Sequence, residues 1–162
     1  MGKHTLEIQY DYDFVLIGIS SHEKDYRICW ALNNKFGIEL NKVDSLEIKG
    51  KKQETPSFFS LFTYDHPDSF TEYTVVANLS ESKTGITKEN TLFGSKAKPH
   101  SYSENEFLIP EHKQMNYFFV IKGEMDEASV QQLVKQIQEI DMVLTAIPID
   151  ASQLKSKHNL VF

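Results

Sequence analysis

Two groups of side chains in this sequence are of the types that move protons. Glu111, His112 and Tyr117 fall within one short segment, and Asp11 and His22 lie in a second stretch near the start. A carboxylate can act as a base, a phenol as a hydrogen-bond donor, and an imidazole as a proton carrier between them. The backbone around Glu111 is constrained as well. Pro110 fixes its own φ, removes a donor and biases Ile109 towards extended geometry, so the chain must turn there without a ladder bond. The same residues also fit a purely structural motif. Glu111 would then accept backbone N–H groups from a following loop, and Tyr117 would place its ring inside a buried strand with its hydroxyl at an edge.

The segment Ile109-Pro110-Glu111, three variable residues, then Met115-Asn116-Tyr117 resembles the signature of the bacterial IPExxxVDY family. The run from Tyr10-Asp11-Tyr12-Asp13-Phe14 to Arg27 is similar to the N-terminal half of that family, so the resemblance extends over essentially the whole chain. It implies kinship and no reaction, because the family carries no assigned activity. One departure is informative. The acid of the signature is Asn116 here, and an amide can be neither a carboxylate base nor a charged ligand, so this position is expected to hydrogen-bond or cap.

Other constellations are less specific. His4, His22, His66, His100, His112 and His158 are scattered without the spacing of a metal set, so no metal and no cofactor is expected. Asp65, His66 and Asp68 suit a Pro-containing turn, and His22, Glu23 and Asp25 suit a helix start. Cys29 is the only cysteine, which excludes an internal disulfide, and its place beside apolar helix residues predicts a buried, inert thiol. The seven glycines stand singly, with no phosphate-cradling loop.

The formal net charge of −6 and pI near 5.5 argue against a nucleic-acid partner, which would call for a basic field. No window approaches the roughly 18 apolar residues of a membrane span, and Met1-Gly2-Lys3-His4 lacks a signal-peptide run, so a cytoplasmic location without membrane contact is expected.

The elements that must position these residues follow from periodicity. A chain of 162 residues is expected to form one domain. The strand-like run Asp11–Gly18 can be laid over Asn116–Gly123, and each leads into an amphipathic helix. The first is predicted from about His22 to Phe36, with Ser20 and Glu23 as a capping box and Gly37 as a stop. The second is predicted from Glu127 to Ile140 after Asp126. Strand candidates follow at Ile38–Ile48 and Met142–Ile147, giving two βαβ-like units. Between them, Ser57–Tyr64 and Phe70–Leu79 predict a hairpin around the turn at Asp65–Ser69, and Ser80–Glu106 forms a long polar loop. The expectation is an α+β fold: a mainly antiparallel sheet with helices on one face, and a ferredoxin-like core carrying an inserted hairpin.

Tyr26 and Trp30, one turn apart on the first helix, lie roughly opposite its apolar stripe of Ile28 and Leu32. Trp and Tyr commonly anchor interfaces. The sequence therefore leads to a non-catalytic interaction or regulatory module that self-associates as a homodimer or binds another protein. The alternative is a small-molecule-binding or catalytic domain with a cleft near Glu111 and Tyr117, drawing on Asp11 and His22.

Overall fold

The runs β1 (Phe14–Ser20) and β7 (Tyr117–Lys122) lie side by side and antiparallel, from Phe14 opposite Lys122 to Ile19 opposite Tyr117. The remaining elements are α1 (Asp25–Phe36), β2 (Asn41–Lys42), β3 (Leu46–Ile48), β4 (Ser57–Phe59), β5 (Leu61–Asp65), β6 (Glu72–Ala77), α2 (Glu127–Gln138) and β8 (Thr145–Ile149). They come from a computed structural model that describes residues 13–50, 55–81 and 105–162. Asp11 and most of the long polar loop, 82–104, lie outside the described residues.

Six strands form one antiparallel sheet in the order β2-β5-β6-β7-β1-β8, and β3 pairs with β4 in a separate two-stranded sheet. Without β5 and β6, the order would be that of a β-α-β-β-α-β sandwich, so the hairpin is set into the sheet between β7 and β2. Both helices cover one face. Ile28, Leu32, Val134 and Ile137 pack there with Ile17, Phe119 and Ile121 from the strands. The opposite face carries a second core, in which Leu16, Val76, Phe118 and Val120 lie under Phe59, Ile109, Leu154 and Leu160. Sheets covered on both faces lose simple alternation, which is why β7 is apolar at nearly every position.

The two βαβ units match in architecture but not in register. The aligned helix positions Ile28 and Leu133, Cys29 and Val134, and Leu32 and Ile137 all point into the same core. The aligned strand positions do not: Leu16 faces the second core, whereas its counterpart Ile121 faces the helices. A one-residue slip turns every strand side chain over, so the correspondence read from the sequence fails in the strands while holding in the helices.

Local departures have local causes. α1 begins at Asp25, not His22, and the Ser20–Glu23 capping box does not form. Ser20 is the last residue of β1, and Glu23 instead pairs with Arg27 at 2.7 Å. Ser21 takes over at the entry to the helix, its hydroxyl accepting the Glu23 N–H and donating to the Met142 carbonyl at 2.6 Å. Gly37 does end the helix, in the left-handed conformation at φ 63. The candidate strand Ile38–Ile48 divides into β2 and β3 because its two ends pair with different sheets. Ser57–Tyr64 likewise changes sheet at Ser60, between β4 and β5. α2 ends at Gln138, and β8 starts three residues later than predicted because Met142–Leu144 are spent crossing over to Ser20.

The outer edge of the sheet at β8 is blunted. Pro148 has no N–H to offer, and the Ala146 carbonyl is taken by the Gln138 side-chain amide at 2.8 Å.

Candidate functional site

The Ile109–Tyr117 segment is held by Asn78, a fully buried residue just beyond β6. Its side-chain amide donates to the carbonyls of His112 at 3.0 Å and Met115 at 2.9 Å, and its side-chain oxygen accepts the Ile109 N–H at 2.8 Å. Its backbone is spent on the same segment. The Asn78 N–H donates to the Asn116 carbonyl and its carbonyl accepts the Leu108 N–H, each at 2.8 Å. A segment broken by Pro110 cannot supply these partners from a ladder, and buried backbone groups must find them somewhere. One asparagine supplies them.

Glu111 sits in a short 3-10 turn, Pro110–His112, with its carboxylate turned to the C-terminal segment. It accepts the Ser156 N–H at 2.9 Å and the Ser156 hydroxyl at 2.7 Å. Slight burial pushes its pKa up, but the hydrogen bonds from Ser156 and nearby backbone outweigh that and hold it below the ordinary value. A carboxylate kept ionised by donors is a poor base near neutrality.

Tyr117 and Asn116 face the start of α1. The Tyr117 hydroxyl donates to the Glu23 carbonyl at 2.6 Å. Burial, then the carboxylate of Asp25, the Cys29 sulfur and Glu23, push this phenol up to about 12. The Asn116 side-chain oxygen accepts the Ser21 N–H at 2.8 Å, so the position occupied by an acid in the resembled signature works as an acceptor. Glu111 and Tyr117 are not brought together. Tyr117 belongs to the helix-side core, whereas the turn bearing Glu111 lies over the opposite face, beside Ile109 and Met115.

The other candidates are placed as follows. His22 is exposed at the turn into α1. Asp25 accepts a hydrogen bond from the Ser60 hydroxyl, tying α1 to the sheet. The His66 ring accepts the Asp68 and Ser69 N–H groups at 3.2 and 3.3 Å, so the Asp65–Ser69 cluster acts as a turn. Cys29 is buried, and burial followed by the nearby Asp25 pushes its thiol up to about 12. Among the described residues, no three His, Cys, Asp or Glu side chains come together as a metal set.

The outer side of the helix layer is different. Tyr26 and Trp30 remain 58% and 62% exposed although their helix is otherwise docked by its opposite stripe. Beside Trp30 a groove of about 350 Å³ runs between α1 and the end of α2. Ala31, Asn34 and Lys35 form one wall, and Ile140, Asp141 and Met142 the other. Lys35 and Glu139 pair across it at 2.7 Å. Apolar floor, charged rim and exposed aromatics are the composition of a contact surface.

Comparison with protein families, curated proteins and solved structures finds no match.

Sequence reasoning missed Asn78, Ser21 and Ser156, the residues that fix the turn, the helix entry and the Glu111 carboxylate. The partners of Asn78 and Ser156 are distant, with 45 residues between Ser156 and Glu111. Ser21 has one local partner, the Glu23 N–H, and a serine just before a helix was a signal that could have found it. Among the described residues, no helix is long and apolar enough to cross a membrane.

Proposed function

We propose that this chain is a non-catalytic cytoplasmic interaction or regulatory module, related to the IPExxxVDY family through its signature and working as a homodimer. The observation that carries the reading is the exposure of Trp30 and Tyr26 on one helical face beside the apolar groove. Leaving two large aromatic surfaces in water forfeits the burial each could still gain, about 90–150 Å² apiece for side chains roughly three-fifths exposed. A partner that covers them recovers it.

The state of the catalytic candidates supports the same reading. Glu111 is committed to Ser156 and Tyr117 to the Glu23 carbonyl, and the two sit on opposite faces of the sheet. The signature thereby builds the scaffold that holds α1 in place, through Tyr117 and Asn116, and so presents its outer face.

Size-exclusion chromatography with light scattering tests the reading. The protein is expected to run as a dimer and Trp30→Ala to shift it towards monomer at unchanged helicity. A wild-type monomer at every attainable concentration overturns it.

A further inference from the structure

The segment 151–162 lies over the second core without joining either sheet. It begins where the ladder stops, since β8 ends at Ile149, opposite Leu16. Two short 3-10 turns, Ala151–Gln153 and Lys157–Leu160, shape it, and their main-chain bonds are local: the Leu154 N–H donates to the Ala151 carbonyl and the Asn159 N–H to the Ser156 carbonyl. Its ties to the body pass through side chains. Glu111 accepts the Ser156 N–H and hydroxyl, the Asn159 side-chain amide donates to the Leu108 carbonyl at 2.9 Å, and the Lys122 ammonium donates to the Phe162 carbonyl at 2.9 Å. Between these ties Ala151, Leu154 and Leu160 are buried in the core that holds Leu16 and Val120, which lie opposite each other in β1 and β7. The contrast with β7 is one of kind. That strand is laddered on both sides, to β1 and to β6, and cannot leave without dismantling the sheet.

From this difference in attachment we infer that 151–162 is a detachable strap, a unit that lifts from the sheet while the six strands and both helices stay folded, and that Glu111 is its clasp. Segments held by few apolar contacts and by solvent-exposed bonds open at a lower free energy than the laddered core, and the Ser156 bonds to Glu111 are exposed. Lifting breaks the side-chain ties and leaves every ladder bond of the sheet in place. It converts the covered apolar face around Leu16 and Val120 into an open one, so the strap gates that face. The inference is independent of whether the α1 face self-associates.

Thiol labelling with a dithionitrobenzoate reagent tests it. Cys29, the only cysteine, is buried in the helix-side core and reports opening of that layer. Val120→Cys adds a second thiol of similar bulk on the face beneath the strap. If the strap lifts by itself, the new thiol should react at least about tenfold faster than Cys29. Two further substitutions in that background separate lifting from global unfolding. Glu111→Ala removes a tie that lifting breaks, so it should speed the new thiol about tenfold. Ile137→Val weakens the helix-side core, which the lifted state keeps, so it should speed Cys29 several-fold and leave the new thiol unchanged. Hydrogen exchange gives the same comparison with Val120 intact: the Leu154 and Asn159 amides should accelerate together in Glu111→Ala and stay unchanged in Ile137→Val. One common rate for both thiols, no response to Glu111→Ala, or an equal response of both thiols to Ile137→Val overturns the strap, because 151–162 then opens only with the whole fold.

Discussion

Replacing Asn78 by alanine should cost this protein a large part of its stability, and the size can be worked from the bonds. The side chain makes three hydrogen bonds, to the His112 and Met115 carbonyls and from the Ile109 N–H. Asn78 and Ile109 are completely buried and Met115 nearly so, leaving little room for water to replace the lost partners. The half-buried His112 carbonyl keeps the Met115 N–H at 3.0 Å, so two buried groups, the Ile109 N–H and the Met115 carbonyl, are left unpaired. At about 1–3 kcal/mol each, not fully additive, the expected loss is about 2–5 kcal/mol, against a total of about 5–15 for a domain of ordinary stability. Urea denaturation measures it, with Gln131→Ala, at an exposed position of α2 outside the groove, as a control expected to stay within about 0.5 kcal/mol. Asn78→Asp sharpens the test. It keeps the acceptor for Ile109 but turns an ionised oxygen towards two carbonyls, so near neutral pH it should rescue nothing. Hydrogen exchange at the Ile109 amide should accelerate in both variants relative to the global opening rate. A loss under about 1 kcal/mol for Asn78→Ala, or unaltered exchange at Ile109, would refute the assignment of Asn78 as organiser of the turn.

Further outcomes follow from the same contacts. Cys29 and Tyr117 both ionise near 12 in the fold, against ordinary values of 9.0 and 10.0, so their contribution is complete below about pH 9 and is lost as pH rises towards 12. That loss, on the order of 2–4 kcal/mol, should be smaller in Tyr117→Phe when stability is measured from pH 8 to 11. An equal slope in the two proteins would contradict it. Glu111 behaves in the opposite sense: its pKa is lowered, so its bonds to Ser156 persist above the ordinary carboxylate value of 4.5 and are lost as pH falls through the lower folded value. The Ser156 amide proton should therefore titrate below pH 4.5 in an NMR series, and Glu111→Gln should abolish that titration. A Cβ on Gly18 would lie 2.8 Å from Met115 and 2.9 Å from Ile149, so Gly18→Ala should lower stability by about 1–3 kcal/mol in thermal melts. A neutral effect would mean that both side chains move aside freely.

The parts of this structure that are periodic were legible in the sequence. The stripes Ile28, Leu32 and Leu133, Val134, Ile137 specify two helices with one docked face each, and the apolar runs Phe14–Ser20 and Tyr117–Lys122 specify the central strands. Their phase was not legible, because a strand buried on both faces gives no alternation to count. Nor was the change of sheet at Ser60, since Phe58, Phe59, Leu61 and Phe62 suit one continuous strand as well as two. At the signature, Asn116 announced a hydrogen-bonding role by being an amide. Glu111 announced nothing, as its partner Ser156 is adjacent only after folding. Asn78 was the hardest to see: one asparagine in β-prone sequence has no pattern, and its importance comes entirely from the proline-broken segment that lies against it. Tyr26 and Trp30 were visible because they violate a pattern, being apolar on the side of a helix that should be polar.

The blunted strand at β8 sets a stopping rule for growth. The six-stranded sheet ends on one side at Pro148 and the Gln138-capped Ala146 carbonyl, and on the other at β2, only two residues long. Among the described residues, neither border of this sheet offers a long run of free donors and acceptors on which a further strand could pair. Lengthening the six-stranded sheet by an added strand is thereby disfavoured at both of its borders, which fixes its width at six strands.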